Sequence, residues 1–158
     1  MKEHFGQLKA ESASIAVVAG RFNETITRGL LQGVYEGARR YGMAAEDLEV
    51  YWVPGAFEIP LLAKKLAETS RFDAVITLGA VIRGETTHFD YVAGPAASGI
   101  AQVALETGIP CIFGVLTLES IEQGLARSGG TAGNKGFEAF QTAIEMIDLC
   151  RQVSPCPA

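Results

Sequence analysis

Four short runs of apolar residues restrict the fold of this chain more than any other feature. They are 14–20 (SIAVVAG), 48–53 (LEVYWV), 73–82 (DAVITLGAVI) and 110–117 (PCIFGVLT). None alternates polar with apolar residues, so each must be covered on both faces. That is the pattern of strands in a parallel sheet lying between helices. The intervening segments carry a helical period instead. Over 24–41, Ile26, Leu30, Leu31, Val34, Ala38 and Tyr41 share one face. Gly29, Gly33 and Gly37 recur every fourth residue beside it, a spacing that lets a neighbour approach closely. Further helices are expected over 57–68, 91–106, 119–127 and 135–151, the last with Phe137, Phe140, Ile144 and Ile147 as its apolar stripe. Residues 96–107 are apolar nearly all round apart from Ser98, Gln102 and Glu106, which predicts burial on more than one side and subunit contacts.

The β-α-β-α-β-α-β-α-α order predicts a three-layer α/β sandwich with a four-stranded, parallel, flavodoxin-like sheet and right-handed crossovers. Residues 3–8 (EHFGQL) are read as an additional edge strand, added to the sheet of a neighbouring subunit. The 158 residues are expected to form one domain, with 1–12 as an N-terminal arm and 152–158 (ending SPCPA) as a tail. A net charge of -5 and the lack of any Lys/Arg run argue against nucleic acid and anionic membrane as partners. Cys111, Cys150 and Cys156 are an odd number without a C-x-x-C pair, which fits a reducing compartment; Cys111 is read as a small core residue. No apolar stretch approaches the ~18 residues needed to span a bilayer. The first twelve residues lack the hydrophobic segment of a secretory signal, so the expected location is the cytoplasm.

In such sheets ligands sit beyond the carboxyl ends of the strands, and the unusual residues of this chain collect there. GRFNE (20–24) follows the first strand, with Asn23 expected as the N-cap of the next helix. VPGAFEIP (53–60) follows the second, GAVIRGETTHFDYV (79–92) spans the end of the third, and the fourth carries Phe113 and Thr117. Each feature has a purely structural reading. Phe22 and Phe113 suit a core, Glu58 and Arg127 suit helix dipoles, and Lys135 suits a solvated turn. His88 is different, because an imidazole titrates near neutrality and the only other histidine, His4, lies in the arm. The preceding RGETT offers successive backbone N–H groups and two hydroxyls around Gly84, an anion or phosphate cradle. No Walker loop, no G-x-G-x-x-G after the first strand and no metal-ligand spacing is present. The residues therefore describe a pocket for a flat heterocycle together with a phosphorylated small molecule.

GRFNE, VPGAFEIP, GAVIRGETTHFDYV, FGVLT (113–117), ESIEQGLARSGG (119–130) and AGNKG (132–136) occur in one order, and with it the chain resembles the 6,7-dimethyl-8-ribityllumazine synthase family over about residues 5 to 150. The resemblance implies a cofactor-free condensation of 5-amino-6-(D-ribitylamino)uracil with 3,4-dihydroxy-2-butanone 4-phosphate, the penultimate step of riboflavin biosynthesis. It further implies that Phe22 stacks on the pyrimidine, that Ala56, Phe57 and Glu58 hold the ribityl chain and ring, and that Ala80, Val81 and Ile82 offer backbone hydrogen bonds. Glu85 and Thr86 match the phosphate cradle, Arg127 the phosphate-binding arginine and His88 the proton carrier. Phe113 and Lys135 match residues that complete the pocket from an adjacent subunit. Position 85 is commonly glycine or alanine in the family, so the Glu85 side chain is expected to point away from the phosphate. Members assemble as pentamers, decamers or sixty-subunit shells. The short turn 128–136 (SGGTAGNKG) matches the shell-forming ones, and riboflavin synthase is an implied partner. The alternatives are an archaeal-type riboflavin synthase, a non-catalytic lumazine- or flavin-binding shell protein, and a generic flavodoxin-like binding module. The first has no phosphate to bind, and the second has no use for His88 with Arg127.

Overall fold

Strand alternation divides the apolar residues of the first strand between two cores, and this sets the layers. The computed structural model describes residues 1–153; Cys156 and the SPCPA tail lie outside them. The sheet is formed by β1 (Ile15–Gly20), β2 (Leu48–Val53), β3 (Ala74–Ile82) and β4 (Cys111–Leu118), all parallel, in the order β2-β1-β3-β4. Ile15, Val17 and Ala19 point to one side, where they meet Leu30 and Val34 of α1 (Glu24–Arg40) and Phe140 and Ile144 of α5 (Lys135–Val153). Ala16 and Val18 point to the other, against Ile59 and Ala63 of α2 (Ile59–Ala67) and Ala96 and Ile100 of α3 (His88–Thr107). The expected sandwich is therefore observed, with four strands and helices on both faces. α4 (Ile121–Arg127) caps the end of β4. The glycine-rich turn after it is a small antiparallel hairpin of β5 (Ser128–Gly130) and β6 (Gly133–Asn134).

The glycine ladder of α1 is used for close approach. A Cβ at Gly37 would stand 2.8 Å from the Phe140 ring, and one at Gly33 would collide with the Asn134 side chain. Asn134 is the hinge of this contact. Its Nδ2 donates to the Gly29 carbonyl at 2.8 Å, while its Oδ1 accepts from the N–H groups of Gly136 (2.8 Å) and Phe137 (3.3 Å) at the start of α5. One side chain thereby fixes the hairpin to α1 and α5 and sets where Lys135 stands.

Several expectations are corrected. Asn23 occupies the N-cap position of α1 in a left-handed conformation (φ 62°) but makes no capping bond; its Nδ2 donates to the Ala80 carbonyl at 2.9 Å. α3 begins at His88 rather than 91. The outer face of α3 is exposed within the single chain, with Leu105 88% accessible, and the subunit contacts expected there are a matter of assembly. Cys111 is half-buried rather than in the core, because β4 is an edge strand. Apart from these corrections, residues 3–8 run beside α5 within the chain, and their expected pairing with a neighbouring subunit is a matter of assembly. There the Gln7 N–H donates to Asp148 at 2.9 Å and the Gln152 amide donates to the Phe5 carbonyl at 3.1 Å.

Two buried threonines contrast. Thr77 donates to the Ile112 carbonyl at 2.7 Å, whereas the hydroxyl of fully buried Thr27 has no partner among the described residues. Valine at 27 would remove that desolvated hydroxyl and keep the branched shape. The expected result is a stability gain of about 1 kcal/mol, read as a higher denaturation midpoint at fixed protein concentration. A lower midpoint would show that the hydroxyl is satisfied in solution.

Candidate active site

β3 outruns its neighbour. It pairs with β1 only as far as Ala19↔Leu78 but with β4 as far as Ile82↔Leu118, so its last turn of chain stands beyond the end of β1. The Arg83 N–H donates to the Leu118 carbonyl at 2.8 Å. Strand alternation then turns the backbone groups of Val81 toward β4 and those of Ala80 and Ile82 toward the open side. Asn23 takes the Ala80 carbonyl there, and the remaining groups face a cavity of about 510 Å³.

Loops following β1 and β2 build the opposite wall. The N–H groups of Arg21 and Phe22 donate to the carbonyls of Val53 (2.9 Å) and Pro54 (3.0 Å), which locks the two loops together. Gly55 is required under the Phe22 ring, since a Cβ there would lie 2.5 Å from it. Phe22 is thus 67% exposed and presents an aromatic face rather than filling a core. Glu58 is oriented by the Gly55 N–H, which donates to its Oε2 at 2.9 Å and leaves the other oxygen without a partner among the described residues.

His88 closes the cavity from the first turn of α3. Its N–H donates to Thr86 Oγ1 at 3.3 Å, and the imidazole is exposed without a hydrogen bond among the described residues. Tyr91 and Val92 line the same cavity one helical turn on. The sequence pattern singles out neither, since it starts the helix after His88; the i, i+3, i+4 spacing from His88 is the available signal. The residues Gly84 to Thr87 form an exposed turn, in which the Glu85 carboxylate has no partner among the described residues.

A second concavity of about 590 Å³ runs along the free edge of β4. It gathers Phe113, Arg127 and Lys135, together with Thr117, Glu138 and Thr142. Phe113 is 47% exposed because no strand covers this edge. Lys135 is paired with Glu138 at 2.7 Å. Arg127 donates to the Gln123 carbonyl at 3.1 Å and has no carboxylate partner among the described residues. Cys111 also lines this edge, but burial pushes its thiol up to about 12, so it stays protonated at neutral pH and is no nucleophile.

The structure therefore sorts the candidate residues into two sets. Phe22, Ala56, Phe57, Glu58, Ala80, Val81, Ile82 and His88 share the first cavity. Phe113, Arg127 and Lys135 share the second, and Glu85 and Thr86 line neither. Among the described residues, no group of His, Cys, Asp and Glu is arranged to hold a metal. Among the described residues, no helix is long and apolar enough to cross a membrane.

Residues 12–151 match the family model described as 6,7-dimethyl-8-ribityllumazine synthase. A protein of Protochlamydia amoebophila (strain UWE25) named 6,7-dimethyl-8-ribityllumazine synthase is 56% identical over 154 residues. The match covers 98% of this chain and 90% of that one.

Proposed function

The chain belongs to the 6,7-dimethyl-8-ribityllumazine synthase family, and from that premise we propose that its two concavities are halves of one active site joined between subunits. The reaction is the condensation of 5-amino-6-(D-ribitylamino)uracil with 3,4-dihydroxy-2-butanone 4-phosphate. The pyrimidine amine attacks the ketone and loses water to form an imine. Phosphate leaves, and the ribitylamino nitrogen closes the second ring with loss of a further water. The observation that carries the shared-site reading is the partition of side chains. Aromatic wall, carboxylate and imidazole line one cavity, the arginine that suits a phosphate lies at a sheet edge left uncovered by the described residues, and none of these residues lines both.

In this reading the pyrimidine stacks on Phe22 and takes hydrogen bonds from the exposed backbone beyond β1. Glu58 accepts from ribityl hydroxyls through its uncommitted oxygen. His88 moves protons during imine formation, elimination and ring closure. The 84–87 turn and a neighbour's Arg127 hold the phosphate as it departs, and the neighbour's Phe113 and Lys135 close the pocket. Binding both substrates side by side supplies the remaining acceleration through orientation. The test is to mix the two substrates with the protein and follow lumazine fluorescence and phosphate release together. Absence of both, or conversion of added lumazine to riboflavin, would overturn the reading.

Glu85 serves the phosphate through its backbone only, because a carboxylate beside a dianion opposes binding. Alanine at 85 is expected to leave turnover unchanged and to leave the KM for the phosphate substrate unchanged or lower. A large loss of kcat would assign the side chain a role.

The assembly proposed is a sixty-subunit shell built from pentamers, in the cytoplasm, with riboflavin synthase as the partner that consumes the product. The open edge of β2 could then accept residues 3–8 of a neighbour, and the exposed outer face of α3 with Leu105 would be covered. Light scattering should find particles near 1 MDa; a species of only about 84 kDa, five times the 16.8 kDa chain, would limit assembly to the pentamer.

A further inference from the structure

We propose that Arg83 is a positioning residue for the phosphate-bearing substrate, holding the 84–87 turn against α3 and β4 and neutralising two carboxylates that flank it. The inference rests on the reading of that turn as the phosphate cradle. Arg83 is the first residue beyond β3, and its backbone is tied to β4 through Leu118. Its guanidinium lies 4.2 Å from the centre of the Phe89 ring. It reaches Asp90 Oδ1 at 3.6 Å through Nη1 and Glu119 Oε1 at 3.2 Å through Nε.

Two of the contacts lie in the first turn of α3 and the third just before α4. Phe89 is half-buried and packed against the α2–α3 core, so the ring is a fixed platform. Asp90 stands two residues after His88 in the first turn of α3. Glu119 opens the turn that leads into α4, which ends at Arg127. One side chain thus spans the end of β3, the start of the helix bearing His88 and the approach to α4. The turn it braces has little other support. Gly84 has no atom within 4 Å of where a Cβ would lie, and all four residues are exposed.

Charge gives a second reason. Without Arg83, Asp90 and Glu119 lose the cation that pairs with both, and together with Glu85 in the turn their negative charge disfavours an incoming dianion. The pairs are exposed, with the Arg83 side chain 42% accessible, so each contributes little alone. Lysine would supply the charge but neither the guanidinium contact with the Phe89 ring nor a fork to serve both carboxylates.

The experiment is steady-state kinetics of Arg83→Ala and Arg83→Lys beside the wild type, varying each substrate in turn, with inorganic phosphate as a competing probe. Arg83→Ala is expected to raise the KM for the butanone phosphate and the inhibition constant for inorganic phosphate together, by about three- to tenfold. The KM for the pyrimidine and the melting temperature should stay at wild-type values, and Arg83→Lys should fall between. An unchanged KM for the phosphate substrate would overturn the proposal. So would an equal rise in both KM values with a fall in melting temperature, which is the mark of a merely structural residue. A wild type that forms no lumazine would instead overturn the functional reading on which this one rests.

Discussion

With alanine at position 88, lumazine formation at neutral pH is expected to fall about a hundredfold, with both KM values and the assembly essentially unchanged. The separation follows from how His88 is held. Its backbone N–H makes the bond to Thr86, and the side chain is exposed with no hydrogen bond to other described residues. Truncation therefore removes no anchor of α3 and leaves no buried group unpaired. What would disappear is the proposed proton carrier, which lines the cavity with Phe22 and Glu58. Each step of the condensation moves a proton, so kcat takes the loss. Added imidazole should restore part of the rate in the variant and do nothing for the wild type. A kcat equal to that of the wild type would remove His88 from the mechanism.

How much of this was legible in the chain depends on whether the deciding interactions are local. The strands could be read because Ile15 to Ala19, and Val75, Ile76 and Leu78 around the single Thr77, are apolar on both faces, and only a covered parallel sheet needs that. The first cavity could be anticipated because strand ends in such sheets are where ligands sit. The use of Asn23 could not. Its amide suits a helix cap and a bond to a distant carbonyl equally, and the choice rests on β3 outrunning β1, a long-range fact. The exposure of Phe113 was hidden for a similar reason. It follows from β4 being the sheet edge, which strand order decides and local pattern does not. The start of α3 was obscured because His88 and Asp90 continue the polar look of the turn before them, with only Phe89 between.

Arg127→Ala should lower kcat/KM for the butanone phosphate by about 10- to 100-fold, while the KM for the pyrimidine stays near wild type. Lys135, the other cation on the β4 edge, is already paired to Glu138. Arg127 is half-buried at the end of α4, braced only by its bond to the Gln123 carbonyl, and its charge is uncommitted among the described residues. A guanidinium held this way offers paired donors to phosphate oxygens, and the loss of charge-assisted bonds weakens ground state and transition state together. Lysine at 127 should recover only part, as a point charge without the fork. Unaltered kinetics for the alanine variant would defeat the assignment. The same variant also tests where the site is assembled. His88 and Arg127 line different concavities of one chain. If a site takes one from each of two neighbours, subunits carrying Arg127→Ala and subunits carrying His88→Ala complement each other. Refolded together in equal amounts, they should regenerate intact sites at about a quarter of the interfaces. Activity of the mixture would then rise well above that of either variant alone. No rise, with mixed assembly verified by mass, would place both residues in a site contained within one subunit.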